Sequence, residues 1–339
     1  MNSSLRLLHL AEKEPDPRIW TRVFLEALEE IGELTVIPEA GALSEEERAS
    51  LIREHDVLLT GWNCAVVPVA IAENPGRLGY ICNITGEMSR FVPERVVDSE
   101  VVITNWGDYP AYPVAEGAMA LLLAVLKDMH HQISEIEADG WRMDMHQHGG
   151  TLRNRRIGIY GFGVIGSAFY ELLEPFGPRV AIFDPYVDIF PPKAMSVDSL
   201  EDLFGFAEII VIHAGLTDET RKSVTAGLLA KLPRHGVVIN TARGAIIDQE
   251  ALFRELESGR LRAGLDVLDP DYLPPGHPAR KWPNLILTAH RIDQGWPDFY
   301  EEPTTLNEMQ RICVDNLRRF AKGQPLRFVF DKRRYQLST

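Results

Sequence analysis

Apolar residues gather along the first hundred positions in short blocks separated by amphipathic stretches. Leu5 to Leu10, Leu34 to Ile37, Val57 to Thr60, Gly79 to Cys82 and Val101 to Thr104 have the length and near-continuous apolarity of buried parallel strands. Between them, Arg18 to Ile31 and Ser44 to Glu54 read as helices, the second opening on Glu45, Glu46 and Glu47, where negative charge suits a first helical turn. This βαβα rhythm predicts an open parallel sheet. The rhythm returns from Arg155 to His290, with strands predicted at Arg156 to Tyr160, Val180 to Phe183, Ile209 to His213, Gly236 to Asn240, Leu261 to Asp266 and Leu285 to Thr288. Between the two regions, Pro113 to Leu126 (PVAEGAMALLLAVL) is too apolar for a free surface helix. We read it as a subunit contact, with a core helix as the alternative. A helical pattern from Leu306 to Lys322 and a short tail, Pro325 to Val329, close the chain.

The stretch from Arg155 to Asp184, RRIGIYGFGVIGSAFYELLEPFGPRVAIFD, combines a strand, a G-x-G-x-x-G turn, a helix, a second strand and an acid. The three glycines serve different ends. Gly161 permits the tight turn, Gly163 lets backbone approach a pyrophosphate, and Gly166 lets the helix pack closely on the strand. Free N–H groups at the helix start face the phosphates. Val164, Ile165, Phe169, Leu172, Leu173 and Phe176 give that helix an apolar face, and Gly177 and Pro178 stop it. Asp184 lies at the distance expected of a carboxylate that accepts both hydroxyls of an adenosine ribose, and it repels a 2′-phosphate. The expectation is a bound dinucleotide, NAD in preference to NADP.

Composition narrows the remaining classes. A chain of 339 residues with 45% hydrophobic and 25% charged residues predicts about two globular domains. The net charge of −14 argues against nucleic acid or an anionic membrane as the main partner, while leaving room for a small anion held by a local arginine. Cys64, Cys82 and Cys313 are too few and scattered for a disulfide framework or a zinc site and read as small core residues. The opening MNSSLRLLHLAEKEP reads as a first strand rather than a signal peptide, and no run approaches a membrane span, so the expected location is cytoplasmic. His130, His131 and the run Met143 to His148 lack partners at ligand spacing, so no metal is expected.

Residues able to do chemistry follow the later strands, where open α/β sheets place ligands. Asn240-Thr241-Ala242-Arg243-Gly244 follows one, Asp266 ends another and His290 follows a third, so these positions are expected to converge on one crevice. The strings VVINTARGAIIDQEAL, GLDVLDPDYLP and LILTAH, downstream of GFGVIG, together with AEGAMALLLAVLK and NLRRFAKGQPL, resemble the D-isomer-specific 2-hydroxyacid dehydrogenase family. The matching segments run from about Val101 to the C-terminus.

The resemblance implies two doubly wound α/β domains. A Rossmann NAD-binding domain (104–292) would be inserted into a flavodoxin-like substrate domain (1–103 and 293–339). It implies that Gly161, Gly163, Val164, Ile165, Gly166 and Asp184 hold NAD. His213, Ala214, Leu216 and Thr217 would line the cofactor, Thr241 and Ala242 the nicotinamide end, and Asp266 would bond the carboxamide. Arg243 would bind the substrate carboxylate and polarise the C2 carbonyl, a role suited to a planar, permanently charged fork. His290 would be the acid/base, a role suited to histidine as a residue type that exchanges a proton near working pH. Ile84, Thr85, Gly86 and Glu87 would form the substrate loop. The partners implied are a small 2-oxo or 2-hydroxy acid and a second copy through Pro113 to Leu126.

Three departures from the family pattern mark this chain. Asp271 stands where the family places glutamate, one methylene shorter, with Asp269 as a rival partner for His290. AHRIDQG replaces Pro-His-Ile-x-Gly, bringing Arg291, Asp293 and Gln294 to the pocket. The substrate loop reads Asn83 to Arg90, NITGEMSR, in place of a glycine-rich segment followed by Asn or Asp. Two alternatives follow: an NAD(H)-sensing binding protein with little turnover, and a dehydrogenase of another small anion.

Overall fold

The computed structural model describes residues 4–86, 88–141, 150–293, 304–330, 332 and 335. The first part of the chain runs β1 (Leu5–Leu10), α1 (Arg22–Glu29), β2 (Gly32–Ile37), α2 (Glu45–Arg53), β3 (Val57–Thr60), β4 (Tyr80–Asn83), α3 (Glu94–Val97) and β5 (Val102–Thr104). Then follow α4 (Ala111–Leu126), α5 (Met129–Glu137), β6 (Arg156–Tyr160), α6 (Val164–Leu173), β7 (Arg179–Phe183) and β8 (Ala194–Ser196). The remainder is α7 (Leu200–Phe206), β9 (Ile209–Ile212), α8 (Ala226–Lys231), β10 (Val237–Asn240), α9 (Gln249–Glu257), β11 (Arg262–Leu265), β12 (Leu285–Leu287) and α10 (Glu308–Ala321). Two compact units result, Met1–Tyr109 with Trp296–Thr339, and Pro110–Gly295. The first extends past β5 because Trp106 and Tyr109 pack into its own core.

The first unit holds a five-stranded sheet of order β2-β1-β3-β4-β5 with every pairing parallel, the flavodoxin-like arrangement. Strands β3 and β4 are buried along their whole length, which is why their sequences lack polar alternation. Helix α1 starts later than its pattern suggests, because Asp16 ties the preceding residues into a turn. Its carboxylate accepts from Arg18 N and from the Arg18 guanidinium, and its carbonyl from Ile19 N and Trp20 N. Helix α2 begins on a capping box between Ser44 and Glu47. The C-terminal helix α10, also opened by a capping box, from Asn307 and Gln310, lays Met309, Cys313, Val314 and Leu317 into the core with Tyr80 and Cys82. All three cysteines are free and buried, as small core residues should be.

The second unit holds a seven-stranded sheet of order β12-β11-β10-β9-β6-β7-β8, again parallel throughout. Strand order reverses around β6, so the turn after β6 lies at a topological switch point. β8 has no clear hydrophobic signature because it is three residues long and largely exposed. Helix α4 packs on α6, β10 and β11. Ala115, Ala118, Leu121, Leu122 and Val125 are buried there, so its apolarity has a cause inside this unit. A Cβ on Gly264 of β11 would meet Leu121 Cγ at 2.5 Å, a measure of how closely helix and strand approach. The exposed apolar row lies instead on α5, at Met129, Ile133 and Ile136. Among the described residues no helix is long and apolar enough to cross a membrane, and no group of His, Cys, Asp and Glu is arranged to hold a metal ion. The run Met143 to His148 lies outside the described residues.

Candidate active site

The turn after β6 is sterically demanding at two of its glycines and open at the third. Gly161 has φ +91°, and a Cβ there would sit 2.4 Å from Ala214 N. A Cβ on Gly166 would lie 2.2 Å from the Gly161 carbonyl oxygen, so α6 rests directly on the turn. At Gly163 a Cβ would meet nothing within 4 Å. That open cradle lies at the N-terminus of α6, where the N–H groups of Val164, Ile165 and Gly166 have no intrahelical acceptor. Asp184, half-buried at the end of β7, accepts from Phe162 N at 2.7 Å through Oδ2 and from Tyr186 N at 2.9 Å through Oδ1.

On the opposite side of β6, the segment after β9 presents backbone more than side chain. The ring nitrogens of His213 are buried without hydrogen-bond partners among the described residues, the ring lies 5.0 Å from that of Phe169, and burial pushes the pKa down to about 3. The His213 ring is thus part of the core, and its main chain is what the segment offers at this position. Ala214 is buried against Gly161, Leu216 packs on the core, and Thr217 and Thr220 close the segment by exchanging hydroxyl and N–H hydrogen bonds.

Arg243 is held by a residue to which the motif comparison assigns no role. The fully buried Asn240 side chain accepts from Ala242 N at 3.0 Å and donates to the Arg243 carbonyl at 3.0 Å, folding residues 240–243 into a tight turn. The signal was available, since asparagine at a strand end commonly bonds the backbone that follows. The guanidinium donates to the Ala242 carbonyl at 2.8 Å and has no carboxylate partner among the described residues. Thr241 Oγ1 nearby is buried and without a hydrogen-bond partner among the described residues. Gly244 approaches Leu268 so closely that a Cβ would lie 2.0 Å from its carbonyl carbon, which brings the Arg243 turn against the loop after β11.

That loop carries Asp271, which meets His290 just after β12. His290 Nδ1 donates to Asp271 Oδ2 at 2.6 Å, with both side chains about half exposed, while Leu268 N donates to Asp271 Oδ1 at 3.1 Å. Of the two rival acids, Asp271 meets the histidine despite its shorter side chain; Asp269 is engaged through its backbone with Gln249. With Nδ1 bonded to the carboxylate, Nε2 is the ring nitrogen that Asp271 does not engage. Ala289 and His290 both adopt left-handed backbone, φ +54° and +57°, which costs non-glycine residues energy.

Asp266 holds that turn in place. Its Oδ1 accepts from Thr288 Oγ1 at 2.6 Å, Arg291 N at 2.9 Å and Ile292 N at 3.2 Å, and its carbonyl accepts from His290 N at 2.6 Å. Asp266→Ala strands the three donors to its carboxylate, Thr288 Oγ1, Arg291 N and Ile292 N. It should lower stability by about 1–3 kcal/mol, with Asp266→Asn closer to the native protein. Urea unfolding checks this, and a loss below about 0.5 kcal/mol would mean that the carboxylate does not brace the turn.

In the first unit, Asn83 accepts from Thr60 Oγ1 at 3.0 Å and donates to the Thr85 carbonyl at 2.7 Å, fixing the Ile84–Thr85–Gly86 loop. Gly86 is pressed against Trp106, whose indole nitrogen would be 2.3 Å from a Cβ. Ile84 N is bonded to the Thr60 carbonyl, whereas Thr85 and Gly86 have no backbone N–H partner among the described residues. Glu87 and Gln294 lie outside the described residues.

Two parallel-sheet α/β units, one carrying a glycine turn at a switch point with an acid ending the next strand, define a protein with a Rossmann-type nucleotide-binding unit. Residues 119–291, just over half of the chain, match the family model for the D-isomer specific 2-hydroxyacid dehydrogenase NAD binding domain. The chain belongs to the D-isomer-specific 2-hydroxyacid dehydrogenase family. It is similar to D-3-phosphoglycerate dehydrogenase of Methanocaldococcus jannaschii, 28% identical over 271 residues. That match covers 79% of this chain and 51% of the relative, so the chain spans about half the relative's length. It is similar over nearly its whole length to glyoxylate reductase of Aeropyrum pernix, 28% identical over 330 residues, covering 92% of this chain and 94% of the other. Among solved structures, the NADPH-dependent glyoxylate/hydroxypyruvate reductase of Sinorhizobium meliloti in complex with citrate matches with a TM-score of 0.74 at 25% identity, covering 97% of each chain.

Proposed function

We propose that this chain is an NAD-dependent oxidoreductase that transfers a hydride between NAD(H) and a small 2-oxo acid or the matching D-2-hydroxy acid. The observation that carries the reading is the 2.6 Å His290–Asp271 pair, one strand end away from an arginine without a carboxylate partner among the described residues. The open cradle at Gly163, the unpaired hydroxyl of Thr241 and the second oxygen of Asp266 fit a dinucleotide: pyrophosphate at the turn, nicotinamide at Thr241 and Ala242, carboxamide at Asp266. When bound, the cofactor supplies or accepts the hydride. Arg243 binds the substrate carboxylate and stabilises the charge that develops on the C2 oxygen. His290, oriented by Asp271, gives its Nε2 proton to that oxygen in reduction and takes it back in oxidation.

Purified protein should oxidise NADH in the presence of at least one of glyoxylate, hydroxypyruvate, pyruvate or a bulkier 2-oxo acid, followed by absorbance. Tight NADH binding with no turnover across that panel would replace this reading with an NAD(H)-sensing binding protein. A homodimer is part of the proposal, with the exposed row Met129, Ile133 and Ile136 of α5 added to the α4 region as the contact. A monomer in sedimentation would remove it.

A further inference from the structure

We infer that Glu219 is a second carboxylate that, with Asp184, makes this chain favour a dinucleotide bearing a free 2′-hydroxyl over one bearing a 2′-phosphate. The inference rests on the proposed dinucleotide site and adds a residue to it. In the sheet of the second unit β6 lies between β9 and β7, so the glycine turn has the end of β9 on one side and the end of β7 on the other. Tyr186, two residues beyond Asp184 on the β7 side, donates its backbone N–H to Asp184 Oδ1 at 2.9 Å and its phenol O–H to Glu219 Oε2 at 3.0 Å. Glu219 belongs to the segment after β9. Tyr186 therefore bonds both carboxylates, Asp184 through its backbone N–H and Glu219 through its phenol, which brings the two acids to one residue.

The turn that carries Glu219 is closed on itself. Thr217 N donates to Thr220 Oγ1 at 2.7 Å, Thr220 Oγ1 donates to the Gly215 carbonyl at 2.7 Å, and Arg221 N donates to the Thr217 carbonyl at 3.0 Å. Asp218, Arg221 and Lys222 share this turn, so its summed charge does not decide the field at the site. Tyr160, at the end of β6, reports that field. Burial raises its phenol pKa first, the Ser223 hydrogen bond opposes this, and the carboxylates of Asp184 and Glu219 both raise it further. The adenosine ribose of NADH offers hydroxyl donors that carboxylates accept. In NADPH a phosphate dianion replaces the 2′-hydroxyl, brings no equivalent donor and meets two negative charges. Across a ribose width in water, one carboxylate opposing a dianion weakens binding about fivefold.

The test is a direct binding titration of the full chain with NADH and with NADPH, following energy transfer from tryptophan to the reduced nicotinamide. Native protein, Glu219→Gln, Glu219→Lys and Asp184→Ala are compared. The native chain should prefer NADH. Glu219→Gln should tighten NADPH about fivefold with NADH changed less than about twofold, and Glu219→Lys should tighten NADPH further. Asp184→Ala should also narrow the preference, but by weakening NADH. An unchanged NADH-to-NADPH ratio in both Glu219 variants overturns the inference while the dinucleotide site stands, as does equal weakening of both cofactors, which marks a merely structural role. A native chain that binds NADPH as tightly as NADH overturns the inference, and one that binds neither overturns the dinucleotide site with it.

Discussion

His290→Ala should lower the rate of 2-oxo acid reduction by about 10²–10⁴-fold while leaving the NADH dissociation constant within about threefold of the native value. Alanine removes the proposed proton donor but touches neither the glycine turn nor Asp184. Asp271→Asn tests the orienting role separately. The amide oxygen can still accept from Nδ1–H, but it no longer offers a full charge to an imidazolium, and its NH₂ can hold the ring in the wrong tautomer. A fall of about 10–100-fold is expected. Steady-state rates with parallel NADH titration check both variants. Native-like turnover in His290→Ala would show that the proton comes from elsewhere, however well formed the 2.6 Å pair is.

Arg243→Ala should lower kcat/KM by about 10²–10³-fold, with a rise in KM as well as a fall in kcat, because the guanidinium is proposed to hold the ground-state carboxylate and the developing alkoxide together. Arg243→Lys keeps the charge but loses the planar fork, so it should recover only part of the loss. The Asn240 bonds that shape the turn run to backbone atoms, so both variants should fold normally. Equal KM values for native protein and Arg243→Ala would remove the arginine from substrate binding.

The glycine turn was legible in sequence because its three glycines meet different steric demands at fixed spacing: a positive φ at Gly161, open space at Gly163 and backbone contact at Gly166. The strands were legible because parallel strands covered on both faces read as unbroken apolar runs. The choice between Asp269 and Asp271 was not, since both lie in one short loop and only its folded path decides which carboxylate turns to His290. The left-handed pair Ala289–His290 carried no signal either, because alanine does not favour that conformation, one histidine does not announce it, and the bracing carboxylate, Asp266, is far away in sequence. The apolarity of α4 was ambiguous for a related reason: hydrophobicity records that a surface is covered, not by what, and here α6 and the sheet cover it.

The discontinuity of the first unit has a consequence for synthesis on the ribosome. Residues 1–109 emerge first, yet the core around Tyr80 and Cys82 is completed by Met309, Cys313, Val314 and Leu317 of α10. At about 5–20 residues per second, the intervening 110–295 occupy the ribosome for about 10–40 s, during which the second unit, continuous in sequence, can fold and the first cannot finish. A nascent chain of this protein thus carries an incompletely covered apolar sheet face until α10 is made, and truncation before α10 leaves that face to chaperones or to aggregation.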